Sequence, residues 1–392
     1  MKINIESLLS IAKTEKQFWL SLLVASPLLL LPFGRSSELP VAVMAILGAG
    51  KALSKYSFAV GLPQTRYFTL LFSLIWLPIA FSYPDSANTE QTFRVAISYL
   101  RFYFAGLFII DVYTNYHLEK RTTTIFSWLL LFLLADALIQ VTVGTDLFGY
   151  PYTGARVNGL FGEDLKLGLI VSLLSPYLLI VIRHHGIPLQ LSIWGLLLLI
   201  TLLSGSRASW VILAISFFGL FILNYKENRK RSITILLIAA IAFPASSFTI
   251  YAVSDYAKDR IDTTLLLFQS DKELIDTALS KRLPIWETSL DIIKDNLFNG
   301  VGARAFRDVY YSYASENDFF RATNQLPTHA HQIFLEVGTE TGLIGLVALI
   351  LFYLALTRSI LQSGFKSENG AAFRISAIAA SFPINTHLAL YS

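Results

Sequence analysis

Apolar runs of about 16 to 23 residues recur along the chain, separated by short polar or charged connections, and about 20 residues of helix cross the core of a bilayer. The pattern predicts spans at 17–33, 38–53, 67–82, 93–112, 124–143, 165–182, 188–204, 208–224, 233–253, 332–357 and 371–390. The runs are continuously apolar rather than alternating, which selects helices over a barrel. Two connections break the rhythm, a short one at 144–164 and a long one at 254–330 that holds much of the chain's charge. A connection as long as the second needs structure of its own. Within it, Pro284 to Leu297 carries a helical pattern, with Pro in the first turn, apolar Ile285, Ile292, Ile293 and Leu297, then Asn299-Gly300 as a stop. The expected organisation is a block of about nine spans (1–253), a loop with amphipathic helices (254–330) and C-terminal spans (331–392).

Composition narrows the class. Hydrophobic residues make up 54% of the 392 positions and charged residues 15%, against about 25% charged in a soluble domain. Too little polar surface remains to cover a globule in water, which excludes a soluble enzyme, a disordered chain and a nucleic-acid-binding domain. The absence of Cys removes disulfides, thiolate metal sites and Cys nucleophiles.

The net charge of +4 reflects where the basic residues sit. Lys2, Lys13 and Lys16 precede the first run, and Lys51, Lys55 and Arg66 flank the second connection. Lys120 and Arg121 mark the fourth, Arg183 the sixth, Lys226 to Arg231 the eighth, and Arg358 and Lys366 the tenth. All fall on one side, which the positive-inside rule assigns to the cytoplasm together with the N-terminus. The segments 144–164 and 254–330 then face outward. The first run reads as an uncleaved anchor. The last reads as incomplete at Tyr391-Ser392, or as ending outside, so that an even number of spans needs one more helix.

Several cations run against this bias. Arg207 lies at an outer turn, Ser204-Gly205-Ser206-Arg207-Ala208-Ser209-Trp210, and Arg156 in the short outer segment. Arg282 precedes the amphipathic helix, four residues before Trp286. Arg94 and Arg101 are seven apart on one helical face, where a charge near mid-bilayer costs about 2.5–3.5 kcal/mol. Guanidinium matches phosphate oxygens in paired hydrogen bonds, so outward Arg at bilayer level points to a lipid-linked phosphate. The plainer alternative is snorkelling helix ends or structural ion pairs.

Of the six His, His117, His184 and His185 read as solvated loop residues and His387 as a core or interface residue. His329 and His331, in Thr328-His329-Ala330-His331-Gln332, stand at a helix entry where a near-neutral imidazole can take a proton from a hydroxyl. His-x-His also suits a metal, with Glu336 and Glu340 available in sequence, although neither spacing is diagnostic. Gly338 and Gly342, four apart, allow a neighbouring helix to come close. Gly300-Val301-Gly302 lacks the strand context of a nucleotide loop. Paired Asp-x-Asp carboxylates are not evident.

Taken in order, Gly205-Ser206-Arg207-Ala208-Ser209-Trp210, Arg282 with Trp286, Gly300 to Phe306, and His329-Ala330-His331-Gln332 running into Glu340 to Gly345 resemble the O-antigen ligase and polymerase superfamily of bacterial envelope proteins, across roughly residues 150–360. The resemblance implies an all-α polytopic membrane protein of about 11–12 transmembrane helices with GT-C-like architecture, in the inner membrane, its site facing the periplasm. It further implies a transferase without metal or cofactor, taking a glycan from undecaprenyl diphosphate in an inverting transfer. Its acceptor is the lipid A core in ligases and another lipid-linked glycan in polymerases, and the single dominant outer loop fits a ligase.

On this reading His331 is the base, Arg207 acts with it, and Arg156, Arg207 and Arg282 hold the diphosphate. His329, Gln332, Trp286 and Arg101 are secondary candidates. Gln332 departs from the Asn usual after the second His, and the eleven runs counted fall one short of the twelve-span pattern that the resemblance implies. The alternatives are an O-antigen polymerase and a transporter or flippase, which would show charges at several depths and broken helices.

Overall fold

The computed structural model describes residues 5–54, 61–253, 255–363, 367–382 and 390–391. Helices dominate. The first five are α1 (Ile5–Leu29), α2 (Glu38–Ser54), α3 (Pro63–Ser82), α4 (Thr89–Tyr116) and α5 (Glu119–Val143). They are followed by α6 (Leu167–Ile182), α7 (Ile187–Leu203), α8 (Arg207–Glu227) and α9 (Arg229–Val253). The long connection holds α10 (Asp255–Leu265), α11 (Lys272–Ala278), α12 (Leu283–Asp295), α13 (Phe306–Tyr313) and α14 (Phe319–Ala322). Then come α15 (Ile333–Ser363) and α16 (Glu368–Ala380). Among the described residues β-pairing is limited to an isolated bridge between Thr145 and Pro151. The chain is an all-α polytopic membrane protein.

By length and composition, six stretches among the described residues are suited to crossing a membrane: Leu31–Ser54, Pro63–Ser82, Thr89–Tyr116, Glu119–Val143, Arg207–Tyr225 and Ile333–Ser359. Leu167–Ile182 and Ile187–Leu203 are apolar but shorter. Local chemistry sets the ends. Pro63 opens α3 at its first turn, and Gly144, left-handed at φ +93°, closes α5. Within the predicted final run α16 ends at Ala380, and residues 383–389, His387 among them, lie outside the described residues.

Two compact units emerge, each built from separate stretches of chain. The first comprises Met1–Val60, Phe104–Ala257 and Phe365–Ala380. Its centre is α6, which is apolar on every side and buried along nearly its whole length. Leu130, Leu134 and Ala137 of α5, Leu197 and Ile200 of α7, Leu213 and Leu220 of α8, and Ala371 and Ile375 of α16 belong to the core around it. Between apolar helices, close approach and buried hydroxyls replace the hydrophobic drive available in water. The Ser172 hydroxyl donates to the Ser209 carbonyl at 2.9 Å, and that of Ser376 to the Leu173 carbonyl at 2.9 Å.

The second unit comprises Gly61–Tyr103, Lys258–Gly364 and Ser381–Ser392. Here α3 packs along α15, and the Tyr67 hydroxyl donates to the Ala355 carbonyl at 2.7 Å. The long connection has its own core of Ile285, Ile292, Val301, Ala305, Phe306 and Tyr310.

Unlike the continuous helix its apolar pattern predicts, α15 breaks at Gly342, which adopts φ +62° and ψ −156°. The segment after α12 fills the break. Leu343 and Ile344 donate to the carbonyls of Leu297 and Phe298 at 2.7 and 3.3 Å, while Val301 and Gly302 donate to those of Thr339 and Glu340 at 2.8 and 2.9 Å. Backbone groups freed by a broken helix inside a membrane need protein partners, and these supply them. A Cβ on Gly342 would lie 2.3 Å from the Phe298 oxygen. Gly342 therefore serves a helix break rather than only the close helix approach expected of it. Gly338 does serve close approach, against Ile293.

Candidate functional site

In the second unit, the chain enters α15 through His329-Ala330-His331-Gln332. His331 is left-handed at φ +52°, a conformation that costs a non-glycine residue about 1–2 kcal/mol. The two imidazoles pack with ring centroids 3.9 Å apart, and His329 Nδ1 lies 3.0 Å from the Thr328 hydroxyl. Trp286 Nε1 donates to the Ala330 carbonyl at 3.1 Å, which ties the first turn of α12 to the peptide between the imidazoles. Gln332 spends its side-chain oxygen on the helix start, accepting from the Leu335 amide at 2.6 Å. That commits the oxygen of a residue expected to offer an amide to ligand.

Arg282 sits immediately before α12, one turn from Trp286. Burial, and after it the charge of Arg260, push its guanidinium below the usual range. Two half-buried cations near one another form an electropositive locus suited to an anion. Arg260 escaped the sequence reading because it stands some twenty residues before Arg282, and nothing in that spacing pairs the two.

In the first unit, Arg207 opens α8, and the Ser206 side chain before it accepts from the Ser209 amide at 3.4 Å. Gly205 is left-handed at φ +65°, and a Cβ there would meet the Tyr256 hydroxyl at 2.2 Å. The same hydroxyl accepts a hydrogen bond from Arg156 Nε. The Val157 amide donates to the Leu203 carbonyl at 3.1 Å, so the Arg156 segment and the Arg207 turn are joined directly. Tyr256 gave no sequence signal, lying about a hundred residues from Arg156.

Other expected residues have ordinary partners. Arg94 is exposed and paired with Glu90 on its own helix, while Arg101 lies over the Phe102 ring at 4.8 Å. Glu336 and Glu340, weighed as metal ligands, are buried and committed to backbone: Glu336 accepts from the Leu390 amide at 2.7 Å, and Glu340 from the Arg304 amide at 2.6 Å. Among the described residues no group of three or more His, Asp or Glu is arranged to hold a metal ion. His184, read as a solvated loop residue, is exposed and pairs with Glu368 at 3.1 Å beside Arg183.

The fold and these sites define a helical membrane protein that gathers cations and imidazoles at helix entries. Residues 193–350 match the family model described as O-Antigen ligase, so this segment is similar to the O-antigen ligase and polymerase superfamily. The match includes Arg207, Arg282, Trp286, His329 and His331, whereas Arg101 and Arg156 precede it. A curated protein of Haemophilus influenzae, described as an uncharacterized protein, is 27% identical over 203 residues, covering 48% of this chain and 49% of that protein. The chain thus spans about half the length of the curated relative it matches.

Proposed function

We propose that this protein is an O-antigen ligase of the bacterial inner membrane, acting at the periplasmic face. It transfers a polysaccharide from undecaprenyl diphosphate to a sugar hydroxyl of the lipid A core, with inversion and without a metal. The observation that carries the reading is the Trp286–Ala330 hydrogen bond, which links the Arg282 turn to the His329–His331 entry within one unit. His331 takes the proton from the acceptor hydroxyl as its oxygen attacks the anomeric carbon, assistance worth about 10²–10⁴-fold. The anomeric carbon–oxygen bond breaks with its electrons passing to the diphosphate. Arg282, in the unit that also holds His331, binds that leaving group and stabilises its growing charge.

The break in α15 is a feature of the transporter alternative. Chain segment 297–302 bonds across it, however, and that use of the break supports a fixed structural joint over a solute path. A lipopolysaccharide gel of a deletion strain tests the reading. Bare core with accumulated lipid-linked polymer is expected, and a His331→Ala copy at normal protein level should fail to restore attachment. Core carrying single repeats would indicate a polymerase instead.

A further inference from the structure

The segment 144–164 lines a half-open cavity of about 550 Å³ beside Arg156, within the ~300–1,000 Å³ typical of small-ligand sites. We propose that this cavity is a saccharide subsite for the glycan of the lipid-linked donor, a role that rests on the ligase reading above.

The first argument is that the cavity is built in advance. Two buried side chains of α5, four residues apart, hold the backbone around it. Asp136 accepts from the amides of Leu147 and Leu160, each at 3.0 Å. Gln140 accepts from the amides of Asn158 and Gly159 at 3.1 and 2.9 Å and donates to the Tyr150 carbonyl at 3.2 Å. A buried carboxylate in an apolar helix is costly unless its lone pairs are used, and here they fix a loop. Gly162, at φ +56°, brings its backbone so near the Tyr150 ring that a Cβ would sit 2.9 Å from it. Pocket shape therefore precedes ligand, which limits the entropy lost on binding.

The second argument is the chemistry of the lining. Tyr150 offers aromatic surface for the apolar C–H face of a pyranose, while Arg156, Asn158, Glu163 and Asp164 alternate donors and acceptors for its hydroxyls. Arg156 spends Nε on Tyr256, and Asp164 pairs with Lys166 at 2.8 Å. Among the described residues the Asn158 carboxamide and the Glu163 carboxylate make no hydrogen bond, so both remain available to a ligand. Two carboxylates beside one guanidinium disfavour a purely anionic occupant, whereas a hydroxylated sugar uses both signs of partner.

The test is saturation-transfer NMR on the full-length protein in nanodiscs. The probes are saccharides released by mild acid from the cell's own polyprenyl-diphosphate pool and, separately, inorganic pyrophosphate. Saccharide protons should receive saturation from the wild-type protein, and Asn158→Ala and Glu163→Gln should each weaken that binding by about tenfold, the scale of one lost hydrogen bond. No transfer to the saccharides, binding indifferent to both substitutions, or binding of pyrophosphate alone would overturn the proposal. Binding is read without turnover, so a saccharide-binding protein that fails to ligate would sink the ligase reading and leave the subsite standing.

Discussion

At Gly205 the left-handed backbone and the Tyr256 hydroxyl both disfavour a side chain. Gly205→Ala should therefore destabilise the protein by about 1–3 kcal/mol, visible as a lower thermal midpoint in detergent; an unchanged midpoint would mean that Tyr256 does not close over this turn. Arg282 carries a different expectation. Its guanidinium is half-buried near the like charge of Arg260, an arrangement that an anion would relieve. Arg282→Ala should lower the transfer rate by about 10²–10³-fold, the usual cost of removing one donor to a developing anion, with normal amounts of protein in the membrane. A rate within a few-fold of wild type would remove Arg282 from the diphosphate. What the sequence showed at this scale was residue type against context, as with Arg156 and Arg207 in outer turns. The partners, Tyr256 and Arg260, come from distant stretches and left no mark on spacing.

Helices were legible because apolar runs report burial in lipid and Pro or Gly marks their ends, as at Pro63 and Gly144. The break in α15 was not: Glu336, Thr339, Glu340 and Thr341 do interrupt the apolar run before Gly342, but the segment that fills the break lies some forty residues earlier. Asp136 and Gln140 did offer a signal, two polar residues one turn apart in an apolar helix, which attention to basic residues alone passed over. Element pairing also sets a pH dependence. Burial of Glu368 would raise its pKa, but the hydrogen bond from His184 and the charge of Arg183 prevail and hold it below the usual carboxylate range. A depressed carboxylate pKa contributes stability that is present above the unfolded-state value of about 4.3 and fades as pH falls through the lower folded value. Glu368→Gln should flatten that acid-side loss in a thermal-shift series; an identical acid limb in variant and wild type would show that the α6–α16 ion pair contributes nothing.

At the scale of the whole molecule, one unit holds both Arg282, given charge stabilisation, and His331, given proton transfer. None of these roles uses a divalent cation, so EDTA should leave turnover by purified protein unchanged, and a metal-rescued loss would point to a His-x-His metal site. The most direct measurement is reconstituted transfer, with purified lipid-linked polymer as donor and lipid A–core as acceptor, comparing wild type with His331→Ala. The account predicts polymer joined to core by the wild-type protein and a rate at least about 10²-fold lower for the variant. Transfer by His331→Ala at the wild-type rate would contradict it.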